Sequence, residues 1–166
     1  MFSSSAADEN FVAQAHDSRR QARRSAALFA HRGYERCFNR CMMDAPYRIL
    51  TVDNEPSVTL SLRYVFSDRQ RYQITAAKSG NEALAELEAN PEPYDVIIVD
   101  QKMPELTGVE LVSVLRERGI TSKVIVLSAQ LSAEVRAAYE QMDVHVMFAK
   151  PFDITELRSA VDNLAA

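Results

Sequence analysis

Four polar residues in this 166-residue chain each close an apolar run, and together they could do chemistry on a phosphoryl group. Asp53 follows Ile49-Leu50-Thr51-Val52. Asp100 follows Val96-Ile97-Ile98-Val99. Ser128 follows Val124-Ile125-Val126-Leu127, and Lys150 follows Val146-Met147-Phe148-Ala149. Two carboxylates brought close together repel unless a cation lies between them. Hard oxygen donors select magnesium or calcium over softer metals. A carboxylate ionised at neutral pH, flanked by a metal, an ammonium and a hydroxyl, is suited to receive phosphorus. In that chemistry Asp100 is the acceptor, the metal and Lys150 neutralise the equatorial oxygens, and Ser128 donates a hydrogen bond to the product.

The elements that must position these groups follow from the same runs. Unbroken β-branched segments read as strands buried on both faces, as in a parallel sheet. Tyr47–Val52, Tyr72–Ala77, Val96–Val99, Lys123–Leu127 and Val144–Ala149 are the expected strands. Each precedes a helical pattern. Pro56 opens the first helix, with Val58, Leu62, Val65 and Phe66 on one face. Ser79-Gly80-Asn81-Glu82 and Thr107-Gly108-Val109-Glu110 have the form of capping boxes. Leu84 and Leu87 face inward from the second helix, and Leu111 and Leu115 from the third, which stops near Gly119. A fourth helix is expected over about 132–141. Asp153-Ile154-Thr155-Glu156 caps a fifth, with Leu157, Val161 and Leu164 inward. Five consecutive βα units imply an α/β, doubly wound, five-stranded parallel sheet with helices on both faces, in the flavodoxin-like order 2-1-3-4-5. The switch point of that order lies between the first and third strands, so Asp53 and Asp100 face one crevice.

Here the sequence resembles the receiver domain of two-component response regulators, over residues 47–166. The motifs are Ile-Leu-Thr-Val-Asp-Asn-Glu-Pro at 49–56, Val-Asp-Gln-Lys-Met-Pro with Gly108 beyond it, Val-Leu-Ser-Ala at 126–129, and Lys150-Pro151-Phe152. The resemblance implies that Asp100 takes a phosphoryl group from a histidine kinase or a histidine phosphotransfer protein. It implies magnesium held by Asp53, Asn54, Asp100 and the backbone carbonyl of Lys102. Ser128 and Ala129 with Lys150 then contact the phosphate, and Ser128 is the switch hydroxyl. Two departures stand out. Asn54 occupies the place of a second acid, and Met147 that of an aromatic residue three before the lysine. The implied protein is a phosphoacceptor rather than an enzyme. It signals in the cytoplasm to a downstream protein partner or a missing output domain, with a phosphorylation-dependent homodimer as a further expectation. The rival reading is a receiver-like adaptor that is never phosphorylated. A haloacid-dehalogenase-type phosphatase wants a second Asp where Lys102 stands, and a dinucleotide-binding enzyme wants a Gly-rich first turn where Asp53-Asn54-Glu55 stands.

Charge divides the chain. Residues 1–46 carry seven Arg and five acidic residues, a net of +2, whereas the rest is at −6, for −4 overall. That balance argues against nucleic-acid binding by the whole chain, and no apolar run approaches a membrane span. The N-terminal extension, 1–46, reads as a disordered or partly helical tail. A transit peptide, and a basic helix that touches nucleic acid, a membrane surface or an acidic partner, are alternatives. Residues 1–42 of it are expected to be dispensable for folding. Its two cysteines, Cys37 and Cys41, imply no disulfide framework and are a weak metal signal.

Overall fold

A computed structural model describes residues 45–165, apart from positions 91 and 145. The expectations for the N-terminal tail therefore lie outside the described residues. The elements run β1 (Tyr47–Val52), α1 (Pro56–Val65), β2 (Tyr72–Ala77), α2 (Gly80–Ala89), β3 (Val96–Asp100), α3 (Gly108–Glu117), β4 (Lys123–Ser128), α4 (Ala133–Gln141), β5 (Val146–Ala149) and α5 (Ile154–Ala165). All strand pairs are parallel, in the order β2-β1-β3-β4-β5. The fold expected from the alternating pattern is the fold found.

Side chains along a strand alternate between faces, so each central strand feeds two cores. Leu50, Val52, Ile97, Val99, Val124 and Val126 pack beneath α2 and α3, with Ala83, Leu87, Leu111, Val112 and Leu115. Tyr139 of α4 joins the same cluster. Ile49, Val96, Ile98, Ile125 and Leu127 face the other way, against Leu62 and Val65 of α1, Phe66, and Leu157 and Val161 of α5.

Local chemistry fixes the helix starts. Thr107 and Glu110 form a complete capping box at α3. At α2 the Ser79 hydroxyl accepts from the Glu82 N–H, but the Glu82 carboxylate accepts from the N–H of Lys78, one residue earlier than the expected box. Asp153 accepts from the N–H groups of Thr155 and Glu156 at α5. Strands β3 and β4 each run one residue beyond expectation, through Asp100 and Ser128, and β5 begins two residues late, at Val146 rather than Val144. Asp143 takes a left-handed φ of 56°, which a short polar side chain tolerates. The Val144 N–H then donates to the Tyr139 carbonyl, 3.2 Å away, so Val144 closes α4 instead of pairing in the sheet.

Register places the chemistry. Val52 lies level with Ala77 and Val99, Asp100 with Leu127, and Ser128 with Ala149. The residues ending β1, β3, β4 and β5 therefore all emerge at the same carboxyl edge of the sheet, where open α/β sheets bind ligands.

Candidate functional site

The carboxyl edge gathers three acids around one ammonium. Lys150 Nζ lies 2.9 Å from Asp53 Oδ2, 3.0 Å from Asp100 Oδ1 and 3.1 Å from Glu55 Oε1. The Asp53 and Asp100 side chains are 2% and 3% exposed, and Lys150 is 14% exposed. Glu55 is more open, at 55%. Each acid offers an oxygen within 4.8 Å of the others. The parallel register explains the meeting of β1 and β3, and the crossover through β5 returns Lys150 to them. The Lys150 N–H donates to the Ser128 carbonyl, 2.7 Å away, fixing the β5 end against β4. Asp53 Oδ1 accepts from the Glu55 N–H at 2.7 Å, which orients the loop into α1.

Electrostatics follow from this packing. Burial pushes the Asp100 carboxyl above the usual carboxylate range. The Lys150 hydrogen bond pulls it back, the Asp53 charge adds to the rise, and a hydrogen bond from the Lys102 N–H opposes it. Burial alone lowers the Lys150 ammonium, but hydrogen bonds to Asp53, Asp100 and Glu55 outweigh that and hold it above the usual lysine range. Three carboxylates around one ammonium leave excess negative charge. The donor set is all hard oxygen, and it fits a small divalent cation.

Of the residues expected from the sequence, Asp53, Asp100 and Lys150 meet directly. Ser128 is buried beside them, but its hydroxyl donates to the Gln130 carbonyl at 2.8 Å and accepts from the Gln130 N–H at 3.1 Å. Ala129 is exposed at the strand end, and Lys102 presents its N–H to Asp100 while its side chain is exposed. Met147 is half-buried against the α2–α3 core. Asn54 is exposed. The third acid is Glu55, two residues beyond the strand end, which sequence reasoning passed over for its neighbour. Its signal was an unbroken polar triplet, Asp53-Asn54-Glu55, before a helix-opening proline.

A family model described as the response regulator receiver domain matches residues 49–162. The chain belongs to the response regulator receiver family. Among curated proteins, the receiver is similar to sporulation initiation phosphotransferase F of Bacillus subtilis, at 30% identity over 69% of this chain and 90% of that protein. It is similar to response regulator MprA of a Mycobacterium species (strain KMS), at 38% identity over 68% of this chain and 47% of that one. The chain spans between 19% and 47% of the length of several longer relatives. Among solved structures, the receiver domain of Francisella response regulator 1452 superposes with a TM-score of 0.65, at 32% identity, covering 72% of this chain and 96% of that one. Vibrio cholerae chemotaxis protein CheY4 gives a TM-score of 0.64 at 25% identity, covering 72% and 99%. As a receiver the chain is a signalling module. Among the described residues no helix is long and apolar enough to cross a membrane.

Proposed function

We propose that Asp100 accepts a phosphoryl group from a histidine kinase or a histidine phosphotransfer protein, and that magnesium assists at the Asp53–Glu55–Asp100 cluster. The observation that carries this reading is the buried carboxylate of Asp100 held 3.0 Å from the Lys150 ammonium, at the sheet edge where Asp53 also ends. An Asp100 oxygen attacks phosphorus as the bond to the donor's imidazole nitrogen breaks, and that nitrogen keeps the electron pair. Bound magnesium supplies positive charge to the phosphoryl oxygens. Lys150 supplies the remaining charge from the protein side and stays protonated throughout, since its three carboxylate partners favour the ammonium. The candidate metal donors are Asp53, Glu55 and Asp100, with the Asn54 side-chain carbonyl and the Lys102 backbone carbonyl in support. Rotation of Ser128 away from Gln130 would free its hydroxyl for the acyl phosphate. Leu60 and Tyr64, exposed one turn apart on the helix that opens beside Glu55, give a phosphodonor protein an apolar foothold.

The test is intact mass after incubation with a small phosphodonor and magnesium. The expected result is one phosphoryl mass on the protein and none on Asp100→Asn. Label that persists in Asp100→Asn, or maps to Asp53, overturns the assignment. No label on the unmodified protein supports the adaptor reading instead.

A further inference from the structure

Tyr139 is the buried residue of α4, fully enclosed in the α2–α3 core. Packing alone would be served by Phe, and a buried hydroxyl must find a partner. The Tyr139 hydroxyl donates to Oε1 of Gln101, the residue that follows Asp100. Gln101 is itself fixed by its backbone. Its N–H donates to the Leu127 carbonyl at 2.8 Å, and its carbonyl accepts from the Gly108 N–H at 3.1 Å.

Gly108 shows how close the approach is. A Cβ there would stand 2.6 Å from the Tyr139 hydroxyl, 2.7 Å from the Asp100 carbonyl oxygen and 2.9 Å from the Gln101 Cα. The end of β3, the start of α3 and the end of α4 therefore converge on one hydroxyl. The backbone of Tyr139 carries the path onward. Its carbonyl accepts from the N–H groups of Met142 and Val144, which lead into β5 and so to Lys150. A closed circuit results, from Asp100 through Gln101, Tyr139 and β5 to Lys150, and back to Asp100.

We propose that Tyr139 is a positioning residue for the phosphoacceptor loop, and that its hydroxyl, acting through Gln101, couples the state of Asp100 to the C-terminal end of α4. The inference rests on phosphorylation of Asp100 as proposed above. Phosphorylation adds negative charge and strong acceptors at Asp100. The Gln101 carboxamide belongs to the residue that follows Asp100 in the chain and carries N–H donors that can respond, while its oxygen is tethered to α4. Any shift of that carboxamide is felt by Tyr139 because both flanking backbones are clamped. The Ser128 hydroxyl, bonded to Gln130, lies off this route.

The experiment uses the full chain, 15N-labelled, with Tyr139→Phe, Gln101→Leu and the double variant. Each is saturated with a small phosphodonor and magnesium, with occupancy read by intact mass. The readout is the change in amide shifts over residues 137–142. The unmodified protein is expected to respond there. Each single variant is expected to lose most of that response, and the double variant no more than either alone. A second readout is the half-life of the phosphoryl group, expected to change about fivefold in each variant, the factor one net hydrogen bond supplies. If Tyr139→Phe does not fold, Gln101→Leu, altered at a half-exposed side chain, carries the test. The proposal is overturned if Tyr139→Phe and Gln101→Leu respond like the unmodified protein, or if their effects add. Absence of any mass gain on the unmodified protein overturns it together with the proposed function, so the two failures are told apart.

Discussion

Replacing Lys150 with Met removes the positive charge that three acids share. The ammonium lies about 3 Å from two carboxylates that are 97% or more buried. At an effective dielectric of 20, each such contact is worth roughly 5 kcal/mol before desolvation. Desolvation of the ions takes back most of that, and breaking a buried pair from one side costs about 3–5 kcal/mol net. Glu55, being half-exposed, adds little. For a domain of this size that corresponds to a fall in Tm of roughly 10–20 °C. The loss has a defined pH dependence. The Asp100 carboxyl sits above its ordinary value of 3.8, so acidification protonates it and relieves the unpaired charge. At the alkaline end, the folded Lys150 pKa is raised above 10.5. Its stabilisation is complete below that value and is lost as pH rises through the folded one. The difference between the two proteins is therefore greatest from neutral pH to about pH 10 and shrinks on either side. Urea titrations across pH measure it, and saturating magnesium is expected to restore part of the loss by binding the oxygens that Lys150 leaves unpaired. A loss below about 1 kcal/mol, the scale of a surface pair, or one that does not diminish on acidification, would refute the reasoning.

Asn54→Asp is expected to tighten magnesium at least tenfold by calorimetric titration. One charge roughly 5 Å from a dication contributes about 2 kcal/mol even in a water-like dielectric. Glu55→Gln is expected to weaken it by several-fold, and equal affinities in all three proteins would remove both positions from the metal's surroundings. Gly108→Ala puts a Cβ against the Asp100 carbonyl and the Tyr139 hydroxyl. It is expected to lower stability by about 1–3 kcal/mol and to slow phosphorylation, measured by denaturant titration and by mass against time.

The sheet and most of the site were legible because both depend on short, strong patterns. β-branched runs announce strands, and the residue after each run falls at the same edge once the sheet is parallel. Lys150 was readable for that reason although it meets Asp53 across 97 positions of chain. Glu55 was not, because its contact depends on how the loop into α1 turns, and the Asp53 carboxylate binding the Glu55 N–H decides that turn. Tyr139 was hidden differently. A single aromatic on a weakly apolar helix carries no periodic signal, and its partner Gln101 is 38 positions away. The start of β5 was misplaced by two residues because left-handed backbone at an Asp leaves no mark in composition.

The alternation of β1, β3 and β4 between two cores has a consequence for how this chain can change. The two clusters share no side chain, and the sheet stands between them. Substitutions in well-separated regions with no shared partners add nearly independently. The α1–α5 layer, which carries the proposed phosphodonor foothold, can drift while the α2–α4 layer keeps its stability. The reverse holds equally. Only the strand-end residues belong to both histories, so divergence between relatives is predicted to be modular above and below the sheet. A library randomised on one layer would test this, by showing whether tolerated sequences there are independent of the sequence on the other.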